Sequence, residues 1–130
     1  MTVTLSPLQP PNVFEIKEKT TAQYTAVVTD DLGNPLPAAS LATLTLTLYV
    51  IKTDGTTGIV NSRNAQNVLN ANNVTVNGNG AITWQLQVGD TTLVEVLPFE
   101  RHIALFTWTW TSGTGRHEVI FNVQNLVLVS

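Results

Sequence analysis

The chain of 130 residues contains no cysteine and only 12% charged residues. Without cysteine there can be neither a disulfide framework nor a thiolate metal site, so the core must hold the fold alone. An ordinary soluble domain has about 25% charged residues. A surface this poor in charge indicates either cover by other protein subunits or simply a threonine-rich β-protein.

The sequence also lacks the features of nucleic-acid binding, membrane insertion and secretion. The net charge is -3, whereas contacts with phosphate need clustered Lys and Arg. The scattered basic residues are Lys17, Lys19, Lys52, Arg63, Arg101 and Arg116. No apolar run reaches membrane-spanning length, and the start at Met1 shows no secretion signal. We therefore expect synthesis in the cytoplasm, with no nucleic-acid and no membrane partner.

Short segments of alternating apolar and polar residues dominate the chain. In residues 44–48, LTLTL, the leucines would face a core and the threonines the opposite side of a strand. Further segments of this kind lie at 14–17, 22–29, 74–76, 82–87, 103–111 and 117–128, separated by turn-forming residues. The length fits one domain over residues 1–130. We predict an all-β fold, an antiparallel β-sandwich of seven to eight strands with one long asparagine-rich loop.

Two hairpins allow predictions of strand register. A three-residue loop within 77–80 is expected to set Val74 opposite Ile82, with Trp84 on the same inner face. In the last hairpin, a four-residue loop at 112–115 keeps charged residues away from the tryptophans. The predicted partners are Phe106, Trp108 and Trp110 opposite Phe121, Val119 and His117.

Residues 61–80 are unusually rich in asparagine, with only one charged residue, Arg63. The asparagines are Asn61, Asn64, Asn67, Asn70, Asn72, Asn73, Asn77 and Asn79. Asparagine bonds to nearby backbone and tolerates positive φ, so it can fix a long loop, and Val68 supplies an apolar anchor. Neutral amides can bind another protein without desolvation of charge. We predict that the protein interface includes Asn61, Arg63, Asn64, Asn67 and Asn70.

Both ends of the sequence are apolar. Prolines separate the segment 2–5 from the rest, and residues 126–129 read LVLV. Such a segment can join the sheet edge of another subunit, although both ends could instead complete the sandwich of their own chain. We treat residues 1–11 as an N-terminal arm. The predicted interface residues at the two ends are Thr2, Val3, Leu5, Leu126 and Leu128.

No group of residues predicts catalysis, a cofactor or a bound metal. The two histidines, His102 and His117, lack the spacing of metal ligands, and the sequence contains no nucleophile elbow or phosphate-binding loop. Trp84, Trp108 and Trp110 alternate in phase with apolar residues, which favours core packing. We predict a non-enzymatic protein, with glycan binding through an exposed tryptophan as the alternative.

Two long segments resemble a known group of proteins. The strings NSRNAQNVLNANNVTVNGNGAITWQLQVGD and ERHIALFTWTWTSGTGRHEVIFNVQNL are similar to small Ig-like proteins encoded among the structural genes of tailed bacteriophages. The resemblance covers about residues 40–127. It implies an Ig-like sandwich and a multi-copy virion protein that binds capsid, neck or tail proteins, as capsid decoration or as a head-tail accessory. A looser resemblance to Ig-like N-terminal domains of baseplate proteins implies a tail or baseplate adaptor as an alternative.

Overall fold

The alternating segments pair into two sheets in the computed structural model, which describes residues 2–5, 13–95 and 97–126. The strands are β1 Thr2–Leu5, β2 Val13–Lys17, β3 Ala22–Val27, β4 Thr43–Ile51, β5 Thr57–Ile59, β6 Gln66–Asn67, β7 Val74–Val76, β8 Ala81–Leu86, β9 Phe99–Trp110 and β10 Gly113–Gln124. Short 3-10 turns lie at Ala38–Ser40 and Val88–Thr91. The all-β prediction is confirmed. The strands beyond the predicted seven to eight include β5 and β6, which span 3 and 2 residues and are too short to show alternation.

The smaller sheet has the strand order β1-β3-β8-β7, and the larger sheet has the order β2-β10-β9-β4-β5, with β6 also paired to β4. Most neighbours are antiparallel, but β1 with β3 and β2 with β10 are parallel. The expectation of a purely antiparallel sandwich is therefore corrected at one edge of each sheet. A tight hairpin forces antiparallel pairing, and neither of these pairs is joined by one.

Aromatic side chains fill the space between the sheets. Tyr24 and Phe106 stack with ring centroids 5.9 Å apart, and Trp84 meets Phe106 edge to face at 5.7 Å. Trp84 and Trp108 are 0% and 3% exposed, which confirms their predicted core positions. Trp110 is only partly buried at the margin of this core. Edge-to-face and offset rings add to the stabilisation that burial provides.

The loop of the last hairpin is shorter than predicted. Gly113 pairs with Trp110 and Gly115 with Trp108, so residues 111–112 alone form the loop, and the predicted four-residue loop is wrong. A Cβ on Gly113 would lie 2.5 Å from Cζ2 of Trp110, and one on Gly115 would clash with the Trp108 ring. Both glycines are strand residues that leave room for the tryptophan rings. In the sequence, they look like the glycines of a turn.

The register differs from the prediction by an even number of residues, so every side chain keeps its predicted face. His117 pairs with Phe106 and Val119 with Ala104. His117, Phe106 and Val119 are all buried, as predicted for the inner face. Because side chains alternate with a period of two, only an odd shift would have exchanged core and surface.

The hairpin between β7 and β8 closes as predicted but with different partners. Asn77 N donates to Ala81 O at 3.1 Å, which leaves a three-residue loop. Val74 lies opposite Trp84 rather than opposite Ile82, and both valine and tryptophan are buried. Residues 77 and 81 form the closing pair of the hairpin. Counting outward from this pair sets Val76 opposite Ile82 and Val74 opposite Trp84.

Candidate functional site

Arg63 lies in the interior, beneath the asparagine-rich segment. Its side chain is 1% exposed. Nε donates to Oδ1 of Asp90 at 2.6 Å, Nη2 donates to Oδ2 at 3.2 Å, and the guanidinium carbon lies 5.6 Å from the centroid of Trp84. A buried cation needs such a partner, because its desolvation is costly. The structure corrects the predicted role of Arg63, which is an internal anchor and not part of the surface.

The remaining donors of Arg63 hold the loop to its surroundings. Nη1 donates to Oε1 of Gln66 at 2.8 Å and to the carbonyl oxygen of Asn72 at 3.2 Å. Nη2 also approaches Oε1 of Gln87 at 3.4 Å. Gln66 and Asn72 belong to the loop, whereas Gln87 follows β8. One side chain therefore connects the loop to the smaller sheet through several charge-assisted hydrogen bonds.

Asp90 extends this network toward the larger sheet. Its carboxylate accepts hydrogen bonds from Nδ2 of Asn61 at 2.9 Å and from the backbone N–H of Gln87 at 2.8 Å. Nδ1 of His102 donates to the backbone carbonyl of Asp90 at 2.9 Å, and Nε2 lies 2.7 Å from Oε1 of Glu100. His102 is 1% exposed, so these contacts hold the interior together.

Asparagine fixes the backbone of the loop, as the sequence predicted. Positive φ angles occur at Asn61, Asn70, Asn72 and Asn73, with values of 54°, 52°, 54° and 70°. Oδ1 of Asn70 also accepts the backbone N–H of Val76 at 2.8 Å, which ties the loop to β7. Asparagine enters this left-handed region at less cost than most residues.

Apolar anchors hold the same segment against the core. Val68 is 0% exposed, and its N–H donates to the carbonyl of Leu44 in β4 at 2.9 Å. Leu69 is partly buried and packs on the core. The predicted anchoring is confirmed. The segment also contains the short strand β6, Gln66–Asn67.

Four asparagines of this segment form a neutral surface. Asn61, Asn64, Asn67 and Asn70 are all exposed, and we call them the amide surface. The side-chain amide of Asn64 has no hydrogen-bond partner within residues 2–5, 13–95 and 97–126. Since Arg63 is buried, no charged side chain of 61–80 reaches the solvent. Another protein could meet this surface through hydrogen bonds without desolvating a charge.

The outer face of the larger sheet carries a second unusual surface. Ile59, Tyr49, Ile103 and Ile120 lie side by side in register across β5, β4, β9 and β10, and we call them the apolar row. Ile59 is 39% exposed and Ile51 beside it is 62% exposed, whereas Ile103 at the middle of the row is 8% exposed. The solvent face of an antiparallel sheet is normally polar, so this side of the sandwich is an exception.

Threonine occupies six further positions of that face, which also carries the charged residues Arg101, Arg116 and Glu118. These threonines are Thr43, Thr45, Thr47, Thr107, Thr109 and Thr114. The hydroxyl groups of Thr43 and Thr109 bond to each other at 2.6 Å across β4 and β9. Such cross-strand pairs stabilise a sheet without adding charge. Beside the apolar row, the outer face is therefore neutral on β4 and carries charged side chains on β9 and β10.

Trp110 lines a small cleft at one end of the sandwich. The cleft has a volume of about 160 Å³ and is bounded by Asp30, Asp31, Leu32, Trp110 and Ser112. A backbone hydrogen bond from Asn34 is the largest of the contacts that lower the pKa of the Asp30 carboxyl. The prediction that all three tryptophans are core residues thus holds for Trp84 and Trp108 only. Trp110 is partly buried, because it lies next to the loop of the hairpin.

The two ends of the chain are described only in part. The backbone of Thr2, Val3 and Leu5 lies in β1 and pairs with β3 of the same chain, as the alternative interpretation expected. Leu126 is 45% exposed, and its N–H donates to Oε1 of Glu18 at 2.9 Å. Leu128 and much of the predicted arm at 1–11 lie outside the described residues.

The described residues provide neither a metal site nor a membrane-spanning helix. Within the described ranges, no cluster of three His, Asp or Glu side chains is placed to hold a metal ion. Over those ranges there is also no helix of the length and hydropathy needed to cross a membrane. Both histidines are largely buried, so neither lies at a described surface.

Comparisons with known proteins add little to the geometry. No protein-family model matches the chain, and no curated protein matches it. One similar solved structure is the X-ray structure of the endo-beta-1,4-mannanase from Thermotoga petrophila, at 15% sequence identity and a TM-score of 0.47. The match covers 91% of this chain and 18% of that chain. At this TM-score the similarity supports no inference about activity.

Proposed function

We propose that the protein is a non-enzymatic structural component of a tailed-phage particle that binds capsid or neck proteins in several copies. The amide surface carries this proposal. Its side chains are exposed and uncharged, and the loop that presents them is anchored by Arg63 and Asp90. A surface fixed in advance loses less conformational entropy when a partner binds. The resemblance of residues 40–127 to small Ig-like phage proteins supports the particle as the place of assembly.

The amide group suits this role because it both donates and accepts hydrogen bonds. The side chain of Asn64 is exposed and makes no hydrogen bond to the rest of the described chain, so it can bond a partner without breaking an internal contact. Association through neutral groups depends little on salt, because there is little charge to screen. We therefore expect the protein to stay on the particle at high ionic strength.

The same surface also fits a tail or baseplate protein as partner. The proposed assembly takes place in the host cytoplasm, followed by release of the virion. A structural rather than enzymatic role is supported by the position of His102, whose two ring nitrogens contact the Asp90 carbonyl and Glu100 in the interior. The histidine thus stabilises the sandwich.

Incorporation of tagged variants during lytic growth tests the proposal. We expect Asn64→Glu to lower the amount in purified particles by about tenfold, which corresponds to about 1.4 kcal/mol of binding energy. Thr75→Glu is the matched control, since Thr75 is an exposed strand residue on the smaller sheet. Quantitative peptide mass spectrometry of the particles gives the ratio. Absence of the wild-type chain from particles, or equal incorporation of both variants, would contradict the proposal.

Glycan binding is a second candidate function, favoured by the partly buried ring of Trp110 beside Asp30 and Asp31. An indole face can stack on a sugar, and carboxylates can accept bonds from its hydroxyl groups. Screening on a glycan array with the wild type and Trp110→Phe tests this role. A specific glycan whose binding falls at least tenfold in the variant would favour glycan binding over the structural role.

A further inference from the structure

Strand β2 lies at one edge of the larger sheet, and among the described strands it pairs with β10 alone. The N–H of Glu18 donates to the carbonyl of Gln124 at 2.9 Å, at the end of the parallel pair. Since alternate residues of a strand direct their backbone groups to the same neighbour, Ile16 also points to β10. The N–H groups of Glu15 and Lys17 therefore point away from β10, along an edge to which another strand can bind.

This edge carries one charge of each sign on its outer face. Glu15 and Lys17 are both exposed, and neither side chain has an ion-pair partner within residues 2–5, 13–95 and 97–126. Their neighbours on β10, Asn122 and Gln124, are neutral. The next charged side chain across the sheet is Arg101 on β9, beyond Asn122. Glu15 and Lys17 are thus the charges that a strand at this edge meets first.

The chain leaves the edge directly after Lys17. The carboxylate of Glu18 accepts the N–H of Leu126 at 2.9 Å, and Lys19 has a positive φ of 54°, which ends the strand. Oγ1 of Thr20 donates to the carbonyl of Lys17 at 2.6 Å. A carbonyl oxygen has two lone pairs, so the Lys17 carbonyl keeps one for a hydrogen bond across the edge.

The charges of β2 are complementary to themselves when two copies of the strand run antiparallel. In a twofold contact the same surface of both copies meets. Because residues 15 and 17 both direct their backbone groups outward, three registers are available: Glu15 opposite Glu15, Lys17 opposite Lys17, or Glu15 opposite Lys17. The first two place like charges together, which destabilises a strand pair. The third forms two ion pairs and sets Ile16 opposite Ile16 at the axis.

We infer that β2 is the contact between two copies of this chain, which pair antiparallel about a twofold axis at Ile16 and join their larger sheets into one continuous sheet. Glu15 of each copy exchanges two backbone hydrogen bonds with Lys17 of the other, and the two side chains form an ion pair. This inference goes beyond the proposed function, since it concerns the protein free in solution.

A notch beside the same edge fits this contact. It has a volume of about 240 Å³ and is lined by residues 15–17 and 20–22. Ile16 and Ala22, which are 4% exposed, form its apolar part. Residues at a non-hydrogen-bonded position of an antiparallel pair approach to a Cα separation of about 4.5 Å. Pairing at Ile16 therefore brings the second copy against the notch and removes apolar surface from water.

Sedimentation equilibrium of the purified protein tests the inference. We expect a dimer at about 100 μM, a concentration that populates even a weak specific complex. Lys17→Glu and Glu15→Lys should each raise the dissociation constant about tenfold, because each places like charges opposite each other twice. The double variant Glu15→Lys/Lys17→Glu should restore it to within about threefold of the wild type. Lys52→Glu, the same substitution after β4 and toward the opposite edge of the sheet, is the control and should leave the dimer intact.

A single cysteine tests the register, since the chain has no cysteine of its own. Ile16→Cys should form a disulfide-linked dimer with oxidised glutathione, because residue 16 lies opposite its own copy at a distance that a disulfide can span. Thr75→Cys, at an exposed position of the smaller sheet, is the control and should remain monomeric on a denaturing gel.

Thermal unfolding of each variant separates loss of the dimer from loss of the fold. A monomeric wild type, a dimer that both single charge variants leave intact, or a folded double variant that remains monomeric would overturn the inference. A folded, dimeric Ile16→Cys protein that does not cross-link would overturn the register. Particles that contain the chain while the free protein is monomeric would contradict the dimer alone and leave the proposed function standing.

Discussion

The two sheets share one core but present different faces to the solvent. The outward residues of β3, β7 and β8 in the smaller sheet are Gln23, Thr25, Val27, Thr75, Ala81, Thr83 and Gln85. On the larger sheet the corresponding positions include Ile51, Ile59, Tyr49, Ile103 and Ile120. Because both sheets bury apolar residues on their inner sides, only the outer sides distinguish them.

The sequences of the strands show the same difference. Strand β8 reads as a clean alternation, typical of a sheet with one face in water. Residues 103–106 of β9 read IALF, an apolar run typical of a strand with both faces covered. Ile103, which faces outward, is nevertheless only 8% exposed, so the chain itself covers most of it, and the exposed apolar side chains of this face are Ile51, Ile59 and Phe99.

The contact between Arg63 and Asp90 helps to hold the two sheets together as one sandwich. We expect Arg63→Met to lower the free energy of unfolding by about 3 to 5 kcal/mol, because it leaves the Asp90 carboxylate buried without its partner. Chemical denaturation measures the change. Arg116→Met, at an exposed arginine of the larger sheet, should change it by less than about 0.5 kcal/mol. Equal effects of the two variants would show that the buried contact is not an anchor.

A second prediction concerns the β9–β10 hairpin of the larger sheet, in which Gly113 and Gly115 lie opposite Trp110 and Trp108. Gly115→Ala should lower the free energy of unfolding by about 1 to 3 kcal/mol, because the new methyl group clashes with the Trp108 ring. Gly78→Ala is the matched control, since nothing lies within 4 Å of its Cβ position. A stability loss at Gly115 no greater than at Gly78 would refute the two-residue loop.

Acidification should lower the stability of the fold by a smaller amount, because His117 lies on the inner face of the larger sheet. Burial lowers its pKa in the folded state, against the opposing effect of Glu118, below the unfolded value of 6.5. The unfolded chain therefore binds more protons, and this contribution to stability is lost as the pH falls through about 6.5 toward the folded pKa. Melting temperatures measured from about pH 8 to about pH 5, a range that brackets the usual pKa of histidine, test this loss of stability.

His117→Leu is the comparison for this pH series. The variant should show a flatter decline between the unfolded and folded pKa values of the histidine, whatever its absolute stability. Parallel curves for the variant and the wild type would show that another group, and not His117, accounts for the acid sensitivity of the larger sheet.

The smallest change in stability is expected on the two outer faces themselves. Ile51→Lys and Gln85→Lys should each alter the free energy of unfolding of the monomer by about 0.5 kcal/mol or less, since both positions lie on a surface. Binding of a fluorescent apolar dye should fall in Ile51→Lys alone. A loss above about 2 kcal/mol in Ile51→Lys would place that isoleucine in a core and remove the contrast between the faces.

Local pattern was sufficient to predict most strands and their buried faces. Residues 74–76 were predicted as a strand and form β7 with the same bounds. The inner positions of Trp84 and Trp108 follow from alternation alone. Pattern could not predict the pairing of Gly115 with Trp108, because a glycine beneath an aromatic ring and a glycine in a turn look the same in sequence. The parallel pairing of β2 with β10 joins opposite ends of the chain and leaves no local signal.

The site was less predictable than the fold. The asparagine-rich segment was recognised from its composition, and four of its asparagines have positive φ. Arg63, however, looked like a surface charge, because its partner Asp90 lies 27 residues away and only the fold brings them together. The apolar row on the outer face of the larger sheet was also missed. Its members come from four strands, and their alignment depends on registers that the sequence did not reveal.

Immunogold electron microscopy of particles from the lysed source culture tests the central claim most directly. An antibody against the recombinant protein should place gold on the virion, over the head for capsid decoration or at the vertex or tail for a neck or tail accessory. If no particle is labelled while an antibody against the capsid labels heads in the same sample, the protein is not a structural component of the virion.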